Sequence, residues 1–515
     1  MNARPKIAAL RLPTFLALLA AACGGGGNGD NGGPPPPPPP KFSNGSLSGQ
    51  YAFSMNGTEL CAGQGSFFAR VGTFTADGNG NITNGLEDLN VCTGTDILQF
   101  TGGKYSIGAD GRGSLSLTNS TGTTNYSISL ASSTQGTVAQ VDPTVTASGT
   151  LQRQNPATFS NAAIGGGYVF DFKGVEVTGT AVDPASTIGR YDADGAGGIF
   201  NGLFDSNIAG TLSGQQSFPS GAFYQMDTNG DGTGFGRGTA NIAGRNFAFY
   251  VVDATRIKFI GTDFPSALAG EAFAQQNTLF NDGSVRGDYA FLIDGLNSSS
   301  PIATAGRFTA DGAGNVAGIF ADENNNGAVT LVPQGTVTGT YAVDANGFGG
   351  GSLTWTDTTA GKFSFIFYLI SPTQAVFQET DSNIVSDGVF AAQTTSPITS
   401  ASMAGDYAFV WSGVNSSGNE EDFVGQLTLD PSASFSGLLD SNRFATTTSQ
   451  QVFDARINGS LTLSGNGTGA NTLSVTQVSP ADSFHFTAYI VDQNRIFVVC
   501  TDTNRVLSGT LTRQP

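Results

Sequence analysis

Gly72-Thr-Phe74-Thr-Ala-Asp77-Gly78-Asn-Gly80-Asn81-Ile82, followed by Gly85, Asp88 and Asn90, is the stretch on which the fold turns. It reads as a strand, a tight Asp-Gly turn and a second strand. It returns as Gly189-Arg-Tyr191-Asp-Ala-Asp194-Gly195 and as Gly306-Arg-Phe308-Thr-Ala-Asp311-Gly312-Ala-Gly314-Asn315-Val316. A worn copy is Gly425-Gln-Leu427-Thr-Leu-Asp430.

Outward from this stretch the chain repeats as a whole. Four segments open alike: Gly49-Gln-Tyr51-Ala-Phe53, Gly167-Tyr168-Val-Phe170, Gly287-Asp-Tyr289-Ala-Phe291 and Gly405-Asp-Tyr407-Ala-Phe409. The tyrosines are spaced 168 − 51 = 117, 289 − 168 = 121 and 407 − 289 = 118 residues apart. Each period is one ordinary domain length, far longer than a solenoid unit. The expected organisation is four tandem β repeats at 45–154, 164–276, 285–393 and 403–515, joined by short links.

Each copy carries about eight short strands with alternating patterning. Lys362-Phe363-Ser364-Phe365-Ile366-Phe367, for example, sets three Phe on one face. Helical periodicity with caps is absent. The expected fold is all-β: four small antiparallel domains, each an eight-stranded up-and-down barrel, because closure removes both sheet edges. Four β-sandwiches of about seven strands are the alternative. In a meander the connections alternate between ends. Those after strands 2, 4 and 6 are tight; those after strands 1, 3, 5 and 7 vary and share the other end. Variation at one end of a constant scaffold is what a binding face would show, and drift of tolerant loops would show it too.

The 515 residues carry a net charge of −18, which disfavours nucleic acid and anionic lipid surfaces as partners. No long apolar run follows the N-terminus, so no membrane-spanning helix is expected there. The first 22 residues read as a signal peptide: Arg4, Lys6 and Arg11 precede a short apolar stretch, Leu12–Ala22. Residues 23–44 read as a tether, glycine-rich to Gly33 and then seven prolines, Pro34–Pro40. The prolines would form a stiff rod of roughly 20 Å at about 3.1 Å per residue.

The candidates for chemistry are few. The one histidine, His485, sits in an apolar strand and is expected to pack on it. A single His leaves no His-cluster zinc site and no repeated Ser-His-Asp machinery. Cys61 and Cys92 fall at the same predicted end of the first repeat, and an exported chain would join them in a disulfide. Cys500 reads as a lone buried thiol. Asp227-Thr-Asn229-Gly-Asp231-Gly232 matches the opening of a calcium loop, but Gly238 stands where a bidentate carboxylate belongs. A plain turn or a weak calcium site formed by Asp227, Asn229 and Asp231 are both readings. No other cofactor is expected.

Two polar sets recur at the variable end. One is Asp88/Asn90, Asp205/Asn207, Asp322/Asn324 and Asp440/Asn442, at the end of strand 3. The other is Asp263, Asp381 and Asp502, at the end of strand 7. They are candidates for a ligand face, with a structural turn or cap role as the competing reading. Paired-carboxylate hydrolysis needs about 5–10 Å between groups, which opposed strands of one barrel do not exclude.

Leu19-Ala-Ala-Ala22-Cys23 resembles a bacterial lipobox, with Ala20 where Leu is usual. The resemblance implies cleavage before Cys23 and acylation of that residue, including a palmitate-type chain. Gly24 in place of Asp implies an outer-membrane or surface destination. With the tether and the tandem Gly-x-Tyr-Ala-Phe and Gly-x-Phe-Thr-Ala-Asp-Gly motifs, nearly the whole chain resembles a class of bacterial repeat lipoproteins. That resemblance implies an exported envelope protein and no particular activity. Three functions follow as expectations. The first is a non-enzymatic, membrane-anchored protein whose repeats bind a glycan, a small apolar ligand or a partner protein. The second is a structural or adhesive scaffold, and the third a carboxylate hydrolase confined to one repeat.

Overall fold

The two halves of the repeated motif meet across one hairpin. In a computed structural model, described for residues 41–515 apart from 229–231, 278, 333–336, 358–360, 394–396, 446–447 and 466, the first strand of each repeat is Ser48–Cys61, Gly165–Thr178, Arg286–Asn297 or Gly405–Asn415. It pairs with a second strand, Gln64–Asp77, Ala181–Asp194, Ser300–Asp311 or Glu420–Leu429. The register sets Phe53, Phe170, Phe291 and Phe409 opposite Gly72, Gly189, Gly306 and Gly425. A Cβ at Gly189, Gly306 or Gly425 would strike the facing phenyl ring, so the glycine is the room the ring fills. Two residues earlier, Tyr51, Tyr168 and Tyr289 stack on Phe74, Tyr191 and Phe308 at 5.9, 5.6 and 5.2 Å. Their hydroxyls donate to the carbonyls of Ser133, Ala254 and Pro372, in the turn after the sixth strand. Burying a Tyr that way satisfies its polar end and pins the first strand. At the hairpin after the second strand, Asp77 accepts from the backbone N–H groups of Asn79 and Asn81, and Asp194, Asp311 and Asp430 cap their turns alike.

Repeats 1, 3 and 4 close into eight-stranded antiparallel barrels when the eighth strand, Val145–Arg153, Ile384–Ala392 or Arg505–Arg513, pairs back onto the first. In repeats 1 and 3 the fourth strand is broken in two, Gly94–Phe100 with Gly102–Ile107 and Ala328–Val332 with Gly339–Val343. Repeat 2 departs from the expectation and forms a half-barrel. Between its third strand, Ile199–Ile208, and Phe223–Met226 there is only a bridge from Gly198 to Phe223. Ser213-Gly214 and Pro219-Ser-Gly221 interrupt the strand that would close it. Phe218 folds into the gap and packs on Phe170 and Phe204 at 5.9 and 5.8 Å.

Each barrel interior is filled by its own inward side chains. The voids left inside barrels 4 and 1 are about 10 Å³ each, too small for a ligand. Cys61 and Cys92 are bonded, joining the first hairpin to the loop after the third strand across 31 residues. Cys92→Ser is expected to cost about 2–4 kcal/mol. An unchanged urea midpoint in the variant, or in wild type under reductant, would contradict this. Cys500 is buried, and burial pushes its thiol far above its usual range. His485 lies on the outer face of its strand rather than in the core: its side chain is 54% exposed, with Nδ1 2.7 Å from Asp502. Among the described residues no helix is long and apolar enough to cross a membrane.

The four repeats pack head to tail, and the fourth packs on the first. Asn90 donates to the carbonyls of Gly261 and Ser266, on either side of the turn in the next repeat's last hairpin. Asn207 does the same to Ile384, Asn324 to Cys500 and Arg505, and Asn442, reaching back to repeat 1, to Gln140 and Val145. The Asp two residues before each Asn meets the next repeat's outer face. Asp205 and Asp322 accept from Tyr368 and Tyr489 at 2.7 Å, and Asp88 accepts from Tyr250 and Arg237. Asp440 meets Arg112. The last Gln of each repeat, Gln154, Gln275, Gln393 and Gln514, donates to the carbonyls of Val251, Leu369, Ile490 and Leu130. One junction used four times closes a ring.

This corrects the reading of Asp88, Asn90, Asp205, Asn207, Asp322, Asn324, Asp440 and Asn442 as ligand-face residues. All are buried, and each of them bonds to the neighbouring repeat through at least one polar atom. A buried amide or carboxylate needs such partners, and only the adjoining repeat supplies the same ones each time.

Candidate functional site

Six residues beyond each motif Tyr stands a glycine: Gly57, Gly174, Gly295 and Gly413. A Cβ at Gly57 or Gly295 would lie 2.6 Å from the Cα of Ala147 or Ser386 on the eighth strand. Glycine thus lets the first and eighth strands come together at the barrel seam. The residues on either side are Asn56 and Thr58, Lys173 and Val175, Asp294 and Leu296, and Ser412 and Val414. All of them line one chamber of about 470 Å³, to which every repeat contributes. Phe67, Val182, Pro184, Ile302, Val385 and Val506 supply apolar wall.

The polar groups converge unevenly. Lys173 Nζ of repeat 2 lies 2.9 Å from Asp294 Oδ1 of repeat 3, and Ser508 Oγ of repeat 4 donates to Asp294 Oδ2 at 3.0 Å. Asp294 stands directly across the sheet from Asp387. The equivalent cross-strand pairs are Asn56–Ser148, Lys173–Ala269 and Ser412–Ser508. Beyond Asp387 is Asp171, whose carboxyl burial pushes well above the carboxylate range, with Asp387 adding to the shift. On the opposite wall Glu420 accepts from Thr58, and burial with Asp422 beside it raises Glu420 strongly. Asp422 is pushed up to about 6 by burial. Burial opposes the charge on Lys173, but Asp294, Asp387 and Asp171 outweigh it and hold the ammonium well above its usual range.

This set can hold and orient a ligand. A lysine held charged is neither a nucleophile nor a base. Carboxyls close enough to share a proton, as Asp171 and Asp387 are, lack the separation that acid–base hydrolysis of a glycoside needs, about 5–10 Å. An apolar wall with a few fixed polar groups is the ordinary make-up of a small-molecule site.

The other sequence candidates are not brought here. Asp263, Asp381 and Asp502 accept from the backbone N–H groups of Asn246, Ser364 and His485, and so pin the sixth strand near the surface. Of the calcium candidates, Asn229 and Asp231 lie outside the described residues, and the Asp227 carboxylate receives Arg237 Nη1 at 2.7 Å. Among the described residues no group of three or more His, Cys, Asp or Glu side chains is placed to hold a metal. The sequence reading missed Lys173, Asp294, Asp387 and Glu420. The in-phase glycine six residues past each Tyr was the available signal.

The raised carboxyls make the fold sensitive to pH. Burial lifts Asp205 and Asp322 to about 6 and Glu379 to about 8. A carboxyl with a raised folded pKa binds its proton more tightly in the fold, so its stabilising contribution is present at acid pH and lost as pH rises through the folded value. The urea midpoint is therefore expected to fall between pH 5 and pH 8. The double variant Asp205→Asn/Asp322→Asn should flatten that fall; an equally steep profile would contradict the assignment.

No protein-family model matches the chain, and no curated protein matches its sequence. Solved structures with some similarity include transferrin binding proteins B. The isotype 1 protein of serogroup B Neisseria meningitidis is 10% identical, with 73% of this chain and 83% of that one covered and a TM-score of 0.20. The Haemophilus parasuis Hp5 protein, as a Trp-to-Ala mutant, is 11% identical over 74% and 84%, with a TM-score of 0.20. Intact Ap-TbpB is 9% identical over 76% and 86%, with a TM-score of 0.16. Similarity at this level leaves the chain's own residues as the ground for its function.

Proposed function

We propose that this chain is an exported envelope protein, anchored through lipid on Cys23, that binds one small amphipathic ligand without enzymatic turnover. The observation that carries the binding is the convergence of all four repeats on one chamber of about 470 Å³. Ring-forming repeats with identical contacts would give a symmetric centre. Here the four equivalent positions are Asn56, Lys173, Asp294 and Ser412, so the walls are chemically unlike and fit a single asymmetric molecule. The signal peptide, the lipobox-like Cys23 and the proline spacer support an outer-membrane or surface address. Calcium is a further ligand to test rather than a requirement.

The test is a thermal-shift screen of Lys41–Pro515 against amphiphiles, lipids, envelope polysaccharides and calcium. A ligand that binds only the folded state stabilises by about 2.7 kcal/mol at a hundredfold excess over its Kd. A saturable rise in Tm is expected from an amphiphile. It should vanish in Leu296→Trp, which fills the chamber, while the variant's own unliganded melt stays cooperative. No shift across the panel would leave a structural scaffold as the better account. A shift that survives Leu296→Trp would place the ligand elsewhere.

A further inference from the structure

Like charges set directly opposite each other on a sheet are destabilising, and only repeat 3 has such a pair in the chamber wall. Asp294 and Asp387 face each other where the other repeats carry Ser with Asn, Ala with Lys, or Ser with Ser. The two acids are not equally served. Asp294 has Lys173 on one oxygen and Ser508 on the other. Asp387 lines the same chamber and is 3% exposed; it shares a proton with Asp171, another acid, and forms no ion pair among the described residues. A buried cluster of acids short of counter-ions is costly, and local rules are broken in this way where a site awaits a ligand. The groups facing Asp387 are Asp171 and Lys173 on the first strand of repeat 2, Ser186 on its second strand, and Asp294 on the neighbouring strand of repeat 3. Three carboxyls share one lysine.

We infer that the chamber's ligand carries a protonated amine, which seats on Asp387 beside Asp294 while its apolar part lies along Phe67, Val182, Pro184 and Leu296. This rests on the chamber being the binding site, as proposed above. The cation supplies the counter-ion Asp387 lacks and relieves the repulsion between the opposed acids. An anionic head group would meet the same carboxyls and be excluded. The apolar part replaces water along a wall that has little else to offer it. Because the carboxyls hold protons that a cation displaces, binding should tighten as pH rises from 5.5 to 8.

Three probes with one chain and different heads separate the alternatives: n-octylamine, n-octanol and n-octanoate, titrated calorimetrically into Lys41–Pro515. The amine is expected to bind at least about tenfold tighter than the alcohol, as a buried charge pair allows, and the octanoate not measurably. Asp387→Asn should reduce the amine to the affinity of the alcohol, and Leu296→Trp should abolish both. Equal binding of all three probes, or an amine preference that survives Asp387→Asn, overturns the cation assignment while the chamber stands. Binding by none, or binding that persists in Leu296→Trp, overturns the chamber and with it this inference.

Discussion

Gly413→Val is expected to open the fourth barrel and cost more than about 4 kcal/mol, at the extreme of single-substitution effects. Its Cβ would run into the carbonyl oxygen of Val506 and approach the Cα of Leu507, both backbone atoms of the strand that closes the barrel. Backbone cannot turn aside as a flexible side chain can. The two strands must part at the seam, and the interior loses the contacts of Trp411, Leu507 and Leu511 with their neighbours. The damage should travel further. Gln514 and Asn442 reach repeat 1 from this barrel, so the ring loses its closing junction as well. Circular dichroism in urea should show a lower midpoint and a less cooperative transition. Gly165→Ala is the control: Gly165 is exposed with open space around it, and a change within about 0.5 kcal/mol is expected. A midpoint for Gly413→Val close to that of the control would contradict the close-approach argument.

The same residues show what a reader of the sequence could and could not see. The barrels were legible because their causes are local. Tyr-Ala-Phe against Gly-x-Phe sets the hairpin register, Asp-Gly caps the turn, and eight alternating strands need closure. The disulfide was legible because two cysteines fell at one predicted end. The opening of repeat 2 was written in Gly214, Pro219 and Gly221, but a strand interrupted by such residues reads much like a longer loop. The ring was not legible, although its parts were counted. Asp-x-Asn repeats in phase whether it caps its own turn or clasps a neighbour, because the Asn partners are backbone carbonyls of another repeat and carry no side-chain signature. Tyr250, Tyr368 and Tyr489 offered the missing hint. Each sits on the outer face of a sixth strand, and a buried Tyr there requires an acceptor outside its own barrel. The chamber follows from the ring, so it was hidden for the same reason.

Asp88→Ala is expected to cost about 3–5 kcal/mol, the usual effect of leaving a buried charge without its partner. Asp88 accepts Arg237 Nε at 2.7 Å and Nη2 at 2.8 Å, and the Tyr250 hydroxyl at 2.6 Å. Removing it strands a guanidinium between two barrels, with only Asp227 left to it. The equivalent acids at the next two junctions should respond differently. Asp205 and Asp322 have a Tyr hydroxyl and no arginine, and burial lifts both to about 6. At pH 8 each is a charge held without a counter-ion. Asn keeps the shape and still accepts from the Tyr hydroxyl, so Asp205→Asn or Asp322→Asn should be neutral or stabilising at pH 8. Asp88→Asn should remain destabilising, because it discards the charge that Arg237 requires. Urea midpoints at pH 8 for these four variants decide the matter. If Asp205→Asn lowers the midpoint as far as Asp88→Asn does, the acids serve all junctions alike and the arginine does not set them apart. If the signs separate as expected, one junction of the ring is locked by charge while two are held by a Tyr hydroxyl bond that a neutral side chain accepts equally well.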